Sequence, residues 1–158
     1  MKKMVFYIYV CVGLCACNQT DMQVTSVHDK TAFEKFKKLD LDATYQNLLN
    51  PDFSTKEQYT EVVNSWRGFH EKVNTILQTN KFSWEVAKPT ITVVNKIYFD
   101  KNGNIDHFLV NIKNPDISDE VKESYRKLLA ENIDKLSINL KRKEQFAQCG
   151  KVKYQNYE

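Results

Sequence analysis

Apolar positions change period several times along the chain, and each change marks an element. Met4 to Leu14 is an uninterrupted apolar run, while Asn18 to Thr31 is polar, with only Met22, Val24 and Val27 to bury. From Ala32 the apolar residues Phe33, Phe36, Leu39, Tyr45, Leu48 and Leu49 recur near the helical period, and Asn50-Pro51 ends that segment. Ser54 or Thr55 can cap a second, stronger helix with the stripe Tyr59, Val62, Val63, Trp66, Phe69, Val73, Ile76 and Leu77. Gly68 inside this helix suggests close approach of a neighbouring element. The period then drops to two. Ile91, Val93, Ile97 and Phe99 alternate with Thr92, Val94, Lys96 and Tyr98, the turn Asp100-Lys101-Asn102-Gly103-Asn104 follows, and Ile105 to Lys113 runs back as a hairpin partner. Ser118, with Asp119 and Glu120 behind it, opens a further helix with the stripe Val121, Tyr125, Leu128, Leu129, Ile133 and Leu136. Val152 and Tyr154 then alternate in a last strand between Gly150 and Tyr157. The pattern predicts an α+β domain over 32–158, a helical part over 32–80 and a ββαβ part over 90–157 that forms a small antiparallel sheet.

The first apolar run needs a different account. It shows no polar face, so it does not read as a soluble helix. It is also far shorter than the roughly 20 residues that span a bilayer. Lys2 and Lys3 precede it and Leu14-Cys15-Ala16-Cys17 follows it, which is the arrangement of an export signal removed after residue 16. Residues 17–31 then read as a tether without a fold of its own.

Removal of the signal changes the charge picture. Taking Lys2 and Lys3 from the 23 basic residues leaves 21 against 20 acidic ones, a near-neutral and interspersed set. Nucleic-acid binding requires a concentrated basic face to release phosphate counterions, so no nucleic-acid partner is expected. Cysteine usage narrows further. Cys11 and Cys15 fall within the signal, which leaves Cys17 and Cys149 after its removal. A small apolar side chain packed near Phe146 is the expected role of Cys149.

Leu14-Cys15-Ala16-Cys17 resembles the lipobox of bacterial lipoproteins, in which the cysteine after a small residue receives diacylglycerol. The resemblance implies lipidation at Cys17 and a domain anchored in the cell envelope, and Asn18 in the following position implies the outer membrane, facing the periplasm. The chain as a whole also resembles small lipoproteins of Bacteroidota. In the C-terminal half, Ile97-Tyr98-Phe99-Asp100-Lys101-Asn102-Gly103-Asn104-Ile105, then Phe108 and Val110, the helix from Ser118 and the strand through Val152 and Tyr154 are similar to the C-terminal domain of TonB-like energy transducers. That family has a Tyr-Pro pair before the first strand, an aromatic-x-Pro ending to the helix, a transmembrane anchor and a Pro-rich spacer, all of which this chain lacks. The likeness therefore implies a fold rather than energy transduction.

Candidate chemistry is sparse. Gly103 at the sixth place of a calcium loop would put Tyr98 where its first Asp belongs, so Asp100 to Asp106 reads as a plain turn. Neighbours on a strand point to opposite faces, so Asp106 and His107 form no direct dyad, and His28, His70 and His107 have no metal-ligand spacing. Lys141-Arg142-Lys143 reads as an exposed loop. No cofactor, metal or catalytic residue is expected. The expected function is a membrane-anchored, non-catalytic interaction domain that meets an envelope protein by strand addition, either at the strand through Val152 and Tyr154 or at the strand from Ile91. The alternative is a carrier of small apolar ligands in a pocket lined by Trp66, Phe69, Trp84 and Tyr98.

Overall fold

A computed structural model of the protein describes residues 23–157; the export segment, Cys17 and Asn18 lie outside the described residues. In chain order the elements are β1 (Val24–Ser26), α1 (Lys30–Lys37), β2 (Gln46–Asn47), α2 (Lys56–Thr79), β3 (Thr90–Phe99), β4 (Ile105–Ile112), α3 (Asp119–Glu131) and β5 (Phe146–Gln155). Short 3-10 turns occupy Leu41–Ala43, Pro51–Phe53 and Ile133–Lys135. The class is α+β, and the five-stranded sheet has the order β1-β4-β3-β5-β2.

The local signals act as chemistry requires. Thr55 caps α2 through a full capping box, its hydroxyl accepting from the Gln58 amide while Gln58 Oε1 accepts from the Thr55 amide. Ser118 caps α3, with Asp119 and Glu120 in its first turn. In the β3–β4 turn the Asp100 carboxylate accepts from the amides of Asn102 and Asn104 and from the Asn104 side chain. Gly103 has φ 89°, and a Cβ there would come within 2.4 Å of the Ile138 carbonyl oxygen, so both backbone angle and space demand glycine.

Three expectations are corrected by the fold. The tether ends sooner than residue 31: Val24–Ser26 pairs parallel with β4, Val24 opposite Phe108 and Ser26 opposite Val110, and all three residues are buried. Between Ala32 and Leu49 the helix stops at Lys37, and the chain makes a 3-10 turn and then β2, which pairs parallel with the start of β5. The sheet is consequently mixed: its centre, β4-β3-β5, is antiparallel, and a short parallel strand flanks each side. Two or three residues carry no readable period, and what fixes them is pairing to strands far along the chain.

The sheet's two faces differ. Ile91, Val93, Ile97 and Phe99 of β3, Phe108, Val110 and Ile112 of β4, and Phe146 and Tyr154 of β5 meet α2 and α3 in the main core, together with Phe69, Val73, Leu77, Tyr125, Leu129 and Trp84. Each large apolar side chain so buried contributes about 1.5–3 kcal/mol. The opposite face holds a smaller cluster, Phe36, Tyr98 and Ala147, with Leu41, Tyr45 and Leu109 packed on it. Toward the other end of that face Thr92, Lys151 and Lys153 are exposed.

Candidate strand-docking groove

β5 is paired along its whole length on one side and almost nowhere on the other. β3 runs antiparallel to it from Thr90 opposite Gln155 to Phe99 opposite Phe146, whereas β2 covers only Phe146 and Ala147. Which backbone groups face the uncovered side follows from one hydrogen bond. The Leu48 amide donates to the Ala147 carbonyl at 2.9 Å, so residue 147 directs its peptide groups toward β2. In a strand the direction alternates, so residues 149, 151, 153 and 155 do the same. Side chains close two of these positions: Asn47 Oδ1 accepts from the Cys149 amide at 3.3 Å and Asn74 Oδ1 from the Gln155 amide at 3.5 Å. Lys151 and Lys153 keep outward N–H and C=O groups with no partner among the described residues.

Beside this open edge lies a groove of about 630 Å³ between α2 and β5. Val63, Trp66, His70 and Asn74 supply its helix side, and Lys151, Val152, Lys153 and Gln155 its strand side. Trp66 seats over Gly150, where a Cβ would lie 3.3 Å from the indole, so the glycine lets the ring approach the strand. His70 is edge-on to Trp66 with ring centroids 4.1 Å apart. Its Nδ1 is 2.6 Å from the Tyr154 hydroxyl, which also accepts from Asn95 Nδ2 at 3.0 Å. Burial pushes the His70 pKa down to about 3, so the ring is neutral. Burial, and then Tyr125, raise the Tyr154 phenol. His70 Nε2 and Asn95 Oδ1 are buried without a hydrogen-bond partner, which makes this a polar seam under the groove.

The residues expected to form an interaction edge fall partly there. Val152 is half-buried and lines the groove, while Tyr154 is 1% exposed and belongs to the core; the available edge is the backbone of Lys151 and Lys153. The other expected edge, the strand from Ile91, is corrected: β3 lies at the centre of the sheet, between β4 and β5. The apolar pocket is corrected as well, because its four aromatics do not converge. Trp66 lines the groove. Phe69 packs in the core against Phe99 and Phe108 at 5.7 and 6.0 Å. Trp84 lies buried against Phe82 and Tyr125 at 5.0 and 4.9 Å. Tyr98 points to the other face, edge-on to Tyr45, and donates to Asp42 at 2.9 Å.

Cys149 is a half-buried free thiol opposite Lys96, on the face away from Phe146, and burial raises its pKa, so it is a poor nucleophile. Asp106 accepts from Tyr45 at 3.0 Å, and His107 packs edge-on to Phe36. Among the described residues no group of three His, Cys, Asp or Glu is placed to hold a metal, and no helix is long and apolar enough to cross a membrane.

Sequence reasoning missed Lys151, Lys153, His70 and Asn74. The signal available was the alternation Lys151-Val152-Lys153-Tyr154, which sets two lysines on the outer face of a strand, a common mark of a sheet edge. No known family, no curated protein and no solved structure matches the chain.

Proposed function

We propose that the protein is a cell-envelope lipoprotein, lipidated on Cys17 and held at the outer membrane facing the periplasm, whose domain is a non-catalytic module that binds an extended segment of another envelope protein. The single observation that carries the contact reading is the uncovered backbone of β5 at Lys151 and Lys153 beside the α2 groove. A row of unpaired peptide groups is a template for an added strand, and the groove supplies room for the side chains of that strand that point inward. The dispersal of Trp66, Phe69, Trp84 and Tyr98 over three environments weighs against the apolar carrier.

The length of chain between Cys17 and the domain bears on this reading. From Cys17 to Val24 are seven residue steps, at most about 25 Å of chain, so a lipid on Cys17 keeps the domain near the headgroups. β1 enters the sheet beside the β3–β4 turn, since Val24 lies opposite Phe108. Lys153 is six residues along β5 from Ala147 at that end, about 20 Å away. Lys153 thus lies at the end of the sheet far from Val24, where the anchored segment enters.

Two measurements test this. Metabolic labelling with a fatty-acid analogue is expected to mark the wild type and not Cys17→Ala; label that persists in the variant overturns the anchor. A photo-crosslinking amino acid at position 153, in the protein in its native membrane, is expected to capture a recurrent envelope protein that the same probe at position 113 does not. Equal capture at both positions overturns the docking edge.

A further inference from the structure

Given strand addition at β5, we infer that the segment this edge accepts is acidic: an extended stretch of another protein in which two acidic residues flank an apolar one.

The open backbone of β5 fixes where an added strand's side chains go. Residues paired with Lys151 and Lys153 project on the same face as those lysines, and the residue between them projects with Val152 into the α2 groove. Lys151 and Lys153 are exposed and make no ion pair or hydrogen bond among the described residues. Arg67, on the helix rim of the groove, is likewise unengaged. Glu71 is the single carboxylate that lines the groove. Opposite charges directly across a strand pair stabilise it and like charges destabilise it, so two acidic residues meet Lys151 and Lys153. The intervening position meets Trp66, Val63 and Val152, which suits an apolar side chain.

The same lysines disfavour a second copy of this chain. Antiparallel self-pairing centred on residue 151, 152 or 153 places at least one lysine opposite another in every case. An acidic strand from a different protein meets no such repulsion. A flat anionic membrane meets the two lysines but offers no donors and acceptors in strand register for the backbone between them.

The test uses the full chain in detergent micelles and labelled peptides of about nine residues in which valine alternates with glutamate, lysine or threonine, read by fluorescence anisotropy. The glutamate peptide is expected to bind about tenfold more tightly than the threonine peptide, and the lysine peptide to show no binding. Lys151→Glu with Lys153→Glu is expected to reverse that order. Lys153→Pro, which removes an outward N–H while leaving the inward ladder to β3, is expected to abolish binding of all three. Circular dichroism melting of each variant reports folding, and because the charge-reversed variant gains a preference, its result does not depend on a loss. Equal binding of the three peptides overturns the acidic partner and leaves strand addition standing. No binding of any peptide removes both. Phosphatidylglycerol vesicles that displace the glutamate peptide, or a dimer in sedimentation that Lys153→Pro dissolves, assign the edge to lipid or to self-pairing and overturn the inference.

Discussion

The two sides of the sheet solve the same problem in opposite ways. At one side β1 is only three residues long, yet it is wholly buried and tied down from several directions. Arg126 of α3, bidentate to Glu123, donates to the Val24 carbonyl at 3.3 Å; the Val27 amide donates to Val110 at 3.0 Å; and His28 Nε2 lies 2.7 Å from the Ile112 carbonyl. At the other side β2 is two residues long and stops, and beyond it β5 presents bare peptide groups bordered by lysines. A short strand closes an edge when a helix clamps it, and leaves an edge when nothing does. The lysines then disfavour the pairings of the free edge with itself that set one lysine against another.

The comparison breaks most sharply by charge. Val24 has 0% exposure, so Val24→Asp buries a carboxylate with no planned partner and is expected to cost about 3 kcal/mol or more in urea unfolding. Lys153→Glu at the open edge is expected to move the same measurement by less than about 0.5 kcal/mol. If Val24→Asp proves as mild as the lysine change, β1 is not part of the folded domain.

The polar seam under the open side gives the next effect. His70 is held near pKa 3 in the folded state against 6.5 when unfolded, so below pH 6.5 the unfolded chain takes up a proton that the folded chain refuses. Its stabilising share is complete above pH 6.5 and drains as pH falls toward 3, at about 1.4 kcal/mol per pH unit. His70→Gln is expected to flatten that slope between pH 6.5 and 5 in chemical denaturation; an unchanged slope would mean that the ring protonates without unfolding.

Arg126→Ala releases the Val24 carbonyl and is expected to cost about 1–2 kcal/mol, with faster hydrogen exchange over 24–27 and little change in β5. Smallest of all, Lys151→Glu with Lys153→Glu is expected to leave the melting curve almost unchanged, since neither lysine has a partner to lose.

How far the sequence spoke depends on element length. α2, α3 and the β3–β4 hairpin repeat their period often enough to be read, and Thr55, Ser118 and Gly103 mark their ends by chemistry that is local. β1 and β2 have no period to show: Val24 looks like a stray apolar residue until Phe108, far along the chain, lies beside it. β5 was legible only from Gly150 onward because Gln145, Gln148 and Gly150 interrupt the apolar pattern, although the strand begins at Phe146. The site was half legible for a related reason. Period two told that Val152 and Tyr154 share a face, but edge or centre depends on strand order, and that is set by contacts between segments. The aromatic stripe of α2 likewise gave no hint that Trp66 would turn to the groove and Phe69 to the core.

Amide hydrogen exchange along β5, resolved residue by residue by NMR, tests the central claim most directly. The account predicts alternation: slow exchange at Val152 and Tyr154, whose amides face β3, and fast exchange at Lys151 and Lys153, which slows when the glutamate-valine peptide is added. Protection of Lys151 and Lys153 equal to that of Val152 in the free chain would contradict it, because the edge would already be closed.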